Sequence, residues 1–336
     1  MSRRGVAEDE HAGFDRPRNR SRPRTKDHPD YSEAQIGRIT TIDRGRYRCR
    51  VESDGTFRQV TATKARLLGR ASVIVGDRVR LVGDTTGDEG TLARLVEVLE
   101  RTTVLRRTAD DDDPYERPIV ANADQLVIVT ALADPPPRTG MIDRILVAGF
   151  DAGLDPLLCL TKADLAPPDE LLAAYTPLGV PVCVLQPDSD LDEIRTALAG
   201  RVSVFVGHSG VGKSTLVNRL IPGVHRAVGV VNEVTGRGRQ TSTAAIALAL
   251  PAPDTGWVID TPGIRSFGLS HVTPDSLVSA FGDLSQFVRD CPRGCPHTTD
   301  AVGCGLDAAV ARGELSRARL DSFRRILTVR LSASDW

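Results

Sequence analysis

The stretch 201–221 carries the reading from which the fold follows: Arg201-Val202-Ser203-Val204-Phe205-Val206, then Gly207-His208-Ser209-Gly210-Val211-Gly212-Lys213-Ser214-Thr215, then Leu216-Val217-Asn218-Arg219-Leu220-Ile221. An apolar, β-branched run gives way to the spacing G-x-x-x-x-G-K-[ST] and then to a helical pattern. That is the strand–loop–helix context a phosphate-binding loop requires. The glycines let backbone N–H groups curl around phosphates, and the start of the following helix adds partial positive charge. In such a loop Lys213 reaches the β- and γ-phosphates and the Ser214 hydroxyl ligates Mg²⁺. His208 reads as an exposed loop residue rather than a catalyst.

Upstream of this loop, apolar strands alternate with amphipathic helices. Segments 125–132, 155–161 and 180–185 read as strands, and 141–153, 168–179 and 191–200 as helices. Continuous apolar strands interleaved with helices specify a doubly wound, mainly parallel α/β sheet. Cys159 and Cys183 fall in two of these strands and read as buried core thiols. Downstream, Trp257-Val258-Ile259-Asp260-Thr261-Pro262-Gly263 is a short strand ending in an acid and a glycine turn. Asp260 would reach Mg²⁺ through water there, and the Gly263 amide would sense the γ-phosphate.

At the end of strand 155–161 stands Thr161-Lys162-Ala163-Asp164. A carboxylate at Asp164 can accept from guanine N1–H and N2–H₂ together, which adenine cannot match, and the Lys162 stem can pack over the base. The usual guanine motif is N-K-x-D. Thr161 replaces its Asn with a shorter hydroxyl. Only four of the 43 basic residues are lysine, and two of those, Lys162 and Lys213, fall inside these motifs. The base motif precedes the phosphate loop, the reverse of the ordinary order, so the domain reads as a circularly permuted GTPase. An ATP-using enzyme is disfavoured by Asp164.

Residues 35–100 show a different pattern, with five short alternating segments, 72–82 among them, separated by Asp/Gly turns. That spacing predicts a small antiparallel β-barrel. Tyr47 and Phe57 are its available stacking aromatics; Arg44, Arg46, Arg48, Arg50 and Arg58 are the better candidates for contacting nucleic acid. The N-terminal stretch 16–26 carries six cations and two prolines in eleven residues and no large apolar side chain. It is expected to be disordered alone, either as a solubilising tail or as an arm that pairs with phosphates. A charged, exposed loop is expected at 110–113.

Near the C-terminus, Cys291, Cys295, His297 and Cys304 follow a C-x₃-C-x-H-x₆-C spacing. Three thiolates and one imidazole fill a tetrahedral Zn²⁺ shell with no open position, which makes the site structural. A helical stretch, 314–331, then holds Arg317, Arg319, Arg324, Arg325 and Arg330, either as a solvated face or as a second phosphate-contacting surface. Six cysteines in 336 residues form no disulfide framework. The start lacks the apolar core of a secretory signal, and no apolar run is long enough for a membrane helix. The formal charge of −1 argues neither for nor against a polyanionic partner. A cytoplasmic protein with no membrane association is expected, and nothing demands more than a monomer.

The permuted motifs, together with Ala121-Asn122-Ala123-Asp124-Gln125-Leu126-Val127-Ile128-Val129 and Ile142-Asp143-Arg144, resemble the RsgA (YjeQ) family of small-ribosomal-subunit-dependent GTPases. The resemblance spans about 35–330. It implies an OB-type barrel, a permuted P-loop GTPase domain and a mostly helical zinc-binding domain. The corresponding division is a tail at 1–30, barrel at 31–105, GTPase domain at 106–275 and zinc domain at 276–336. It further implies GTP hydrolysis coupled to late maturation of the small ribosomal subunit and stimulated by that subunit or its rRNA. The alternative is an RNA-binding assembly module whose guanine-nucleotide site binds but hydrolyses poorly. The family's zinc spacing is C-x₄-C-x-H-x₅-C, one residue different on each side.

The hydrolytic residue needs a separate argument. Ile264 stands just after the D-x-x-G element, where Ras-type enzymes carry a Gln, and it cannot orient water. The family's switch reads G-x-H-T-T-T, with the His proposed to act on water; here Gln240 occupies that place. Gln240 is therefore the candidate for positioning the nucleophile, the other possibility being backbone or rRNA. Thr241 or Ser242 would complete the Mg²⁺ shell.

Overall fold

Five N-terminal strands with an inward apolar and outward polar alternation roll into a closed barrel. They are β1 (Gln35–Asp43), β2 (Arg46–Ser53), β3 (Thr56–Lys64), β4 (Arg78–Gly83) and β5 (Ala93–Val98), paired in the order β1-β2-β3-β5-β4 with β4 returning to β1. In β2, for example, Cys49 and Val51 enter the barrel core with Ile39, Val60, Leu81 and Leu95, while Arg46, Arg48 and Arg50 face out. The computed structural model describes residues 30–53, 55–69, 72–107, 117–224, 245–262, 269 and 272–332. The Arg-rich tail and the acidic loop at 110–113 lie outside them.

The barrel differs from the sequence expectation in two respects. It is not wholly antiparallel: β3 and β5 run parallel, with Ala62 opposite Ala93. Because β4 goes back to seal β1, β5 must cover the remaining edge of β3 and arrives there in the same direction. The apolar segment 72–82 is also not one strand. Asp77, fully buried, accepts the Ile74 N–H at 2.8 Å and a two-pronged Arg101 guanidinium at 2.7 and 2.9 Å, which folds 73–77 into a turn before β4 begins. Gly76 in that turn has a φ of +92°, and a Cβ there would lie 2.1 Å from the Ala121 carbonyl oxygen.

A two-stranded hairpin, β6 (Val104–Arg107) and β7 (Arg117–Ala121), follows the barrel. Asn122 locks it in place, accepting the Thr102 N–H at 2.9 Å and donating to the Gly76 carbonyl at 3.1 Å.

The central sheet comprises β8 (Gln125–Ala131), β9 (Asp155–Thr161), β10 (Val182–Val184), β11 (Val202–Val206), β12 (Ile246–Ala249) and β13 (Trp257–Asp260). The order is β10-β9-β8-β11-β13-β12, parallel except for the β12 edge. Helices α1 (Thr139–Asp151) and α2 (Asp169–Tyr175) cover one face; α3 (Asp192–Leu198) and α4 (Lys213–Leu220) cover the other. Every residue of β8 and β11 is buried, as sandwiching between helix layers demands. Cys159 and Cys183 are buried neighbours in register on β9 and β10.

Four C-terminal helices extend the first face: α5 (Pro274–Ala280), α6 (Gly282–Val288), α7 (Gly305–Ala311) and α8 (Arg317–Ser332). Thr273 and Ser276 cap α5 reciprocally. Aromatic contacts Phe150–Phe281 and Phe281–Phe323, with ring centroids 4.4 and 5.4 Å apart, join α1 to α8. Of the α8 arginines, Arg319, Arg324 and Arg325 are tied to carboxylates of other elements, while Arg317 is exposed and the Arg330 side chain lies outside the described residues. Arg319 grips Asp283 at 2.7 and 2.9 Å, Arg324 grips Asp307 at 2.6 and 2.9 Å, and Arg325 reaches Asp143 of α1 at 3.3 Å. No helix among the described residues is long and apolar enough to cross a membrane.

Candidate nucleotide site and metal centre

In the sheet order, the chain runs outward in one direction from β8 to β9 and β10, and in the other from β11 to β13. The point of reversal lies between β8 and β11, and open α/β sheets take ligands at the carboxyl ends beside such a point. Residues Gly207–Ser214 leave β11 at that place. Their backbone is shaped for close approach. Gly210 and Gly212 have φ of +85° and +86°, and a Cβ on Gly207 would sit 2.4 Å from the Val129 carbonyl oxygen. Gly212 is the N-cap of α4, and its carbonyl accepts the Leu216 N–H at 2.9 Å. Ser209 and Thr215 are exposed, Ser214 is half-buried, and the His208 ring lies 2.9 Å from the Ser209 carbonyl oxygen.

Lys213 is buried. Its ammonium pairs with the Asp260 carboxylate at the end of β13 and donates to the Thr261 carbonyl at 2.6 Å. Thr261 is held in turn by its hydroxyl on the Phe205 carbonyl at 2.7 Å. The only cation of the loop and the acid forty-seven residues downstream are thus in direct contact.

The Thr161-Lys162-Ala163-Asp164 turn ends β9, two strands away. Its Thr161 hydroxyl lies 2.6 Å from the Val211 carbonyl oxygen and 3.2 Å from the Thr130 carbonyl oxygen, within the sheet edge. The hydroxyl therefore ties the base-motif turn to the phosphate-loop backbone, a contact that sequence reasoning did not foresee. Lys162 has a φ of +57°, and its ammonium bonds the Asp134 carbonyl oxygen. Ala163 N–H donates to Leu185 at 3.2 Å, and Asp164 is exposed. Gly263, Gln240, Thr241 and Ser242 lie outside the described residues.

The metal cluster assembles from the α6–α7 connection. Cys291 Sγ lies 3.6 Å from His297 Nδ1 and 4.0 Å from Cys304 Sγ, and Cys304 Sγ lies 3.9 Å from His297 Nδ1. All four ligand atoms, Cys295 included, fall within 4.8 Å of one another. A tetrahedral ion with metal–sulfur bonds of about 2.3 Å separates its ligands by about 3.5–3.8 Å, so the group fits one. His297 adopts a φ of +58° to turn its ring inward, and Arg324 donates to its carbonyl at 3.0 Å. Burial lowers the His297 pKa and keeps the ring neutral as a ligand must be. Burial, helped by the neighbouring Cys304 and Cys295 thiols and opposed by the Gly305 N–H, raises Cys291 to about 11. A bound cation is what would hold it as thiolate.

A phosphate loop at the switch point, a base-motif turn that precedes it in the chain, and an acid at the end of β13 define the circularly permuted GTPase fold. Solved structures share it. The crystal structure of YloQ, a circularly permuted GTPase, superposes with a TM-score of 0.65 at 25% identity, covering 91% of this chain and 98% of that one. YjeQ from Thermotoga maritima matches with the same score and identity, over 88% and 98%. The RsgA GTPase family profile matches residues 98–270, slightly more than half of the 336. The small ribosomal subunit biogenesis GTPase RsgA of Pseudomonas aeruginosa (strain LESB58) is 44% identical over 220 residues, which cover 63% of this chain and 64% of that protein. That of Pseudomonas syringae pv. syringae (strain B728a) is 38% identical over 289 residues, 82% and 81% of the two. The chain belongs to the RsgA GTPase family. Its match spans just under two thirds of the length of the P. aeruginosa relative.

Proposed function

We propose that this chain hydrolyses GTP in a cycle coupled to late maturation of the small ribosomal subunit, with the subunit or its rRNA as activator. The carrying observation is the convergence of Lys213, Asp260 and the Thr161 turn on the carboxyl edge of one sheet. The names of its relatives support the choice of partner.

In this reading Gly207–Thr215 wraps the phosphates with backbone N–H groups, and Lys213 exchanges Asp260 for phosphate oxygens on nucleotide entry. Asp164 reads the guanine edge, Lys162 packs over the base and Ala163 forms the turn between them. Thr161 holds the turn to the loop rather than reaching for the base. Ser214 and Thr241 or Ser242, with Asp260 through water, would hold a Mg²⁺ carried in with GTP, which would supply neutralisation of phosphate charge. Gly263 senses the γ-phosphate and Gln240 orients the attacking water. Zn²⁺ is the cation that suits Cys291, Cys295, His297 and Cys304, as a closed structural site. The division into tail, barrel, GTPase and zinc domains at 30, 105 and 275 belongs to the same proposal, as does a monomer working in the cytoplasm.

A second reading, an RNA-binding module whose nucleotide site hydrolyses poorly, is favoured by Thr161, whose hydroxyl lies against the Val211 carbonyl oxygen. Phosphate release from GTP and from ATP, with and without purified small subunits, separates the two. The expected result is GTP-only stimulation by the subunit, its collapse in Gln240→Ala with GDP binding retained, and loss of nucleotide binding in Lys213→Ala. No stimulation of a chain that still binds GDP would favour the module.

A further inference from the structure

The four ligand residues of the Cys/His cluster stand in unequal surroundings. His297 and Cys304 are each only 2% exposed, whereas Cys291 and Cys295 are half-buried. Cys304 is the N-cap of α7, and the Arg324 guanidinium faces its sulfur. Cys291 Sγ accepts the N–H of Gly305, the first residue of α7, at 3.1 Å. Cys295 Sγ accepts from no N–H or O–H among the described residues. Its backbone N–H closes a turn on the Pro292 carbonyl at 3.1 Å, and Pro292, Arg293, Gly294 and Pro296 around it are all exposed.

A hydrogen bond to a thiolate draws charge off the sulfur and tempers it as a nucleophile. Cys295 is thus the corner of the cluster that combines access from solvent with electron pairs no donor engages. A cation in the closed site proposed above would hold its sulfurs as thiolates, the form that reacts with oxidants. Cys49, Cys159 and Cys183 are buried, and buried structural thiols are inert.

We propose that Cys295 is a modification site, the first sulfur of the cluster to react with a hydroperoxide, and that its oxidation opens the metal shell. The inference rests on the metal site proposed above. The Cys295 thiolate attacks one peroxide oxygen; a sulfur–oxygen bond forms, the oxygen–oxygen bond breaks and hydroxide leaves, giving a sulfenic acid. Cys291 belongs to the same turn, and the four ligand atoms lie within 4.8 Å of one another. Its thiolate then attacks the Cys295 sulfur, forming a disulfide and expelling a second hydroxide. The two thiolates together give up two electrons, which reduce one hydrogen peroxide to two hydroxides that solvent protonates to water. His297 and Cys304 alone cannot close a tetrahedral shell. The Gly305 N–H loses its thiolate acceptor, and Arg324 loses the fixed position of the His297 carbonyl, so α7 and α8 loosen.

The full-length protein is first assayed for bound metal by elemental analysis. It is then exposed to hydrogen peroxide with a chromogenic zinc chelator present, and a sulfenic-acid trap with peptide mass spectrometry locates the adduct. The expected first adduct is on Cys295, with metal released at the rate of its formation. Without the trap a Cys291–Cys295 disulfide should accumulate, Cys49, Cys159 and Cys183 should stay unmodified, and GDP affinity should not change. Cys295→His keeps four ligands and should lose its metal to peroxide roughly tenfold more slowly. A first adduct on Cys291 or Cys304, release at the parent rate from Cys295→His, or release with no thiol oxidised would overturn the assignment while leaving the metal site standing. If Cys295→His holds no metal, the adduct position in the parent decides alone. A parent protein that holds no metal would overturn the metal site and the inference with it.

Discussion

Arginines in the C-terminal helices and arginines on the barrel share a composition and have opposite surroundings. Arg319, Arg324 and Arg325 each close on a carboxylate from another element, and Arg324 also holds the carbonyl of the cluster residue His297. They join helices to one another and to α1. Arg38, Arg50 and Arg78 face one another instead, with aromatic rings beside Arg38 and Arg50. The number of cations in a segment therefore says little about its role. The identity of the group opposite each cation decides whether it binds the fold together or stands ready for something else.

The comparison can be broken first at the cluster on which the paired set is built. Cys304→Ser should abolish stoichiometric metal binding and remove hydrogen-exchange protection from α7 and α8, because structural metal sites contribute on the order of 10 kcal/mol to folding. The barrel should keep its protection. Elemental analysis together with exchange mass spectrometry checks both halves, and protection unchanged in α7 would show that the cluster does not organise this region.

Arg324→Ala should have the next largest effect. Arg324 is nearly buried, and its loss leaves Asp307 and the His297 carbonyl without their donor. A fully buried pair broken in this way costs about 3–5 kcal/mol; the partly exposed Asp307 reduces the expectation to about 2–3. Arg324 also holds the Asp307 carboxyl below its ordinary range. A depressed carboxyl pKa contributes stability at neutral pH that is lost as pH falls through the folded value. Urea denaturation at descending pH should therefore show an acid-side loss in the parent that is blunted in Arg324→Ala.

The smallest effect should have the opposite sign. Arg78→Gln removes one like charge from the barrel row and breaks no ion pair, so it should stabilise the isolated protein by about 0.2–1 kcal/mol. A denaturation midpoint that falls instead would mean that the row is held by contacts as the C-terminal set is, and the contrast would disappear.

Much of the fold was legible because its signals are local. The phosphate loop, the alternation of apolar strand with amphipathic helix, the five barrel segments and the Cys/His spacing each lie within a short window, where residue spacing dictates backbone geometry or ligand count. The segment 72–82 misled for the same reason. Its apolar run looks like one strand, but a buried Asp77 paired with Arg101, 24 residues away, turns the chain. Thr161 was legible as a departure from a guanine motif. Its tie to Val211, 50 residues on, was not.

What the sequence alone determined here is most of the barrel and central-sheet strands, the helices between them, the phosphate loop and the Cys/His spacing, since those depend on steric and periodic constraints among near neighbours. The tertiary structure alone decided the parallel closure of β3 on β5, the contact of Lys213 with Asp260 and the partners of Arg319, Arg324 and Arg325. Arg325 and Asp143 are 182 positions apart, whereas Arg38 and Arg50 meet across a single ladder. Coulomb and hydrogen-bond energies depend on distance through space, and only the folded chain sets that distance.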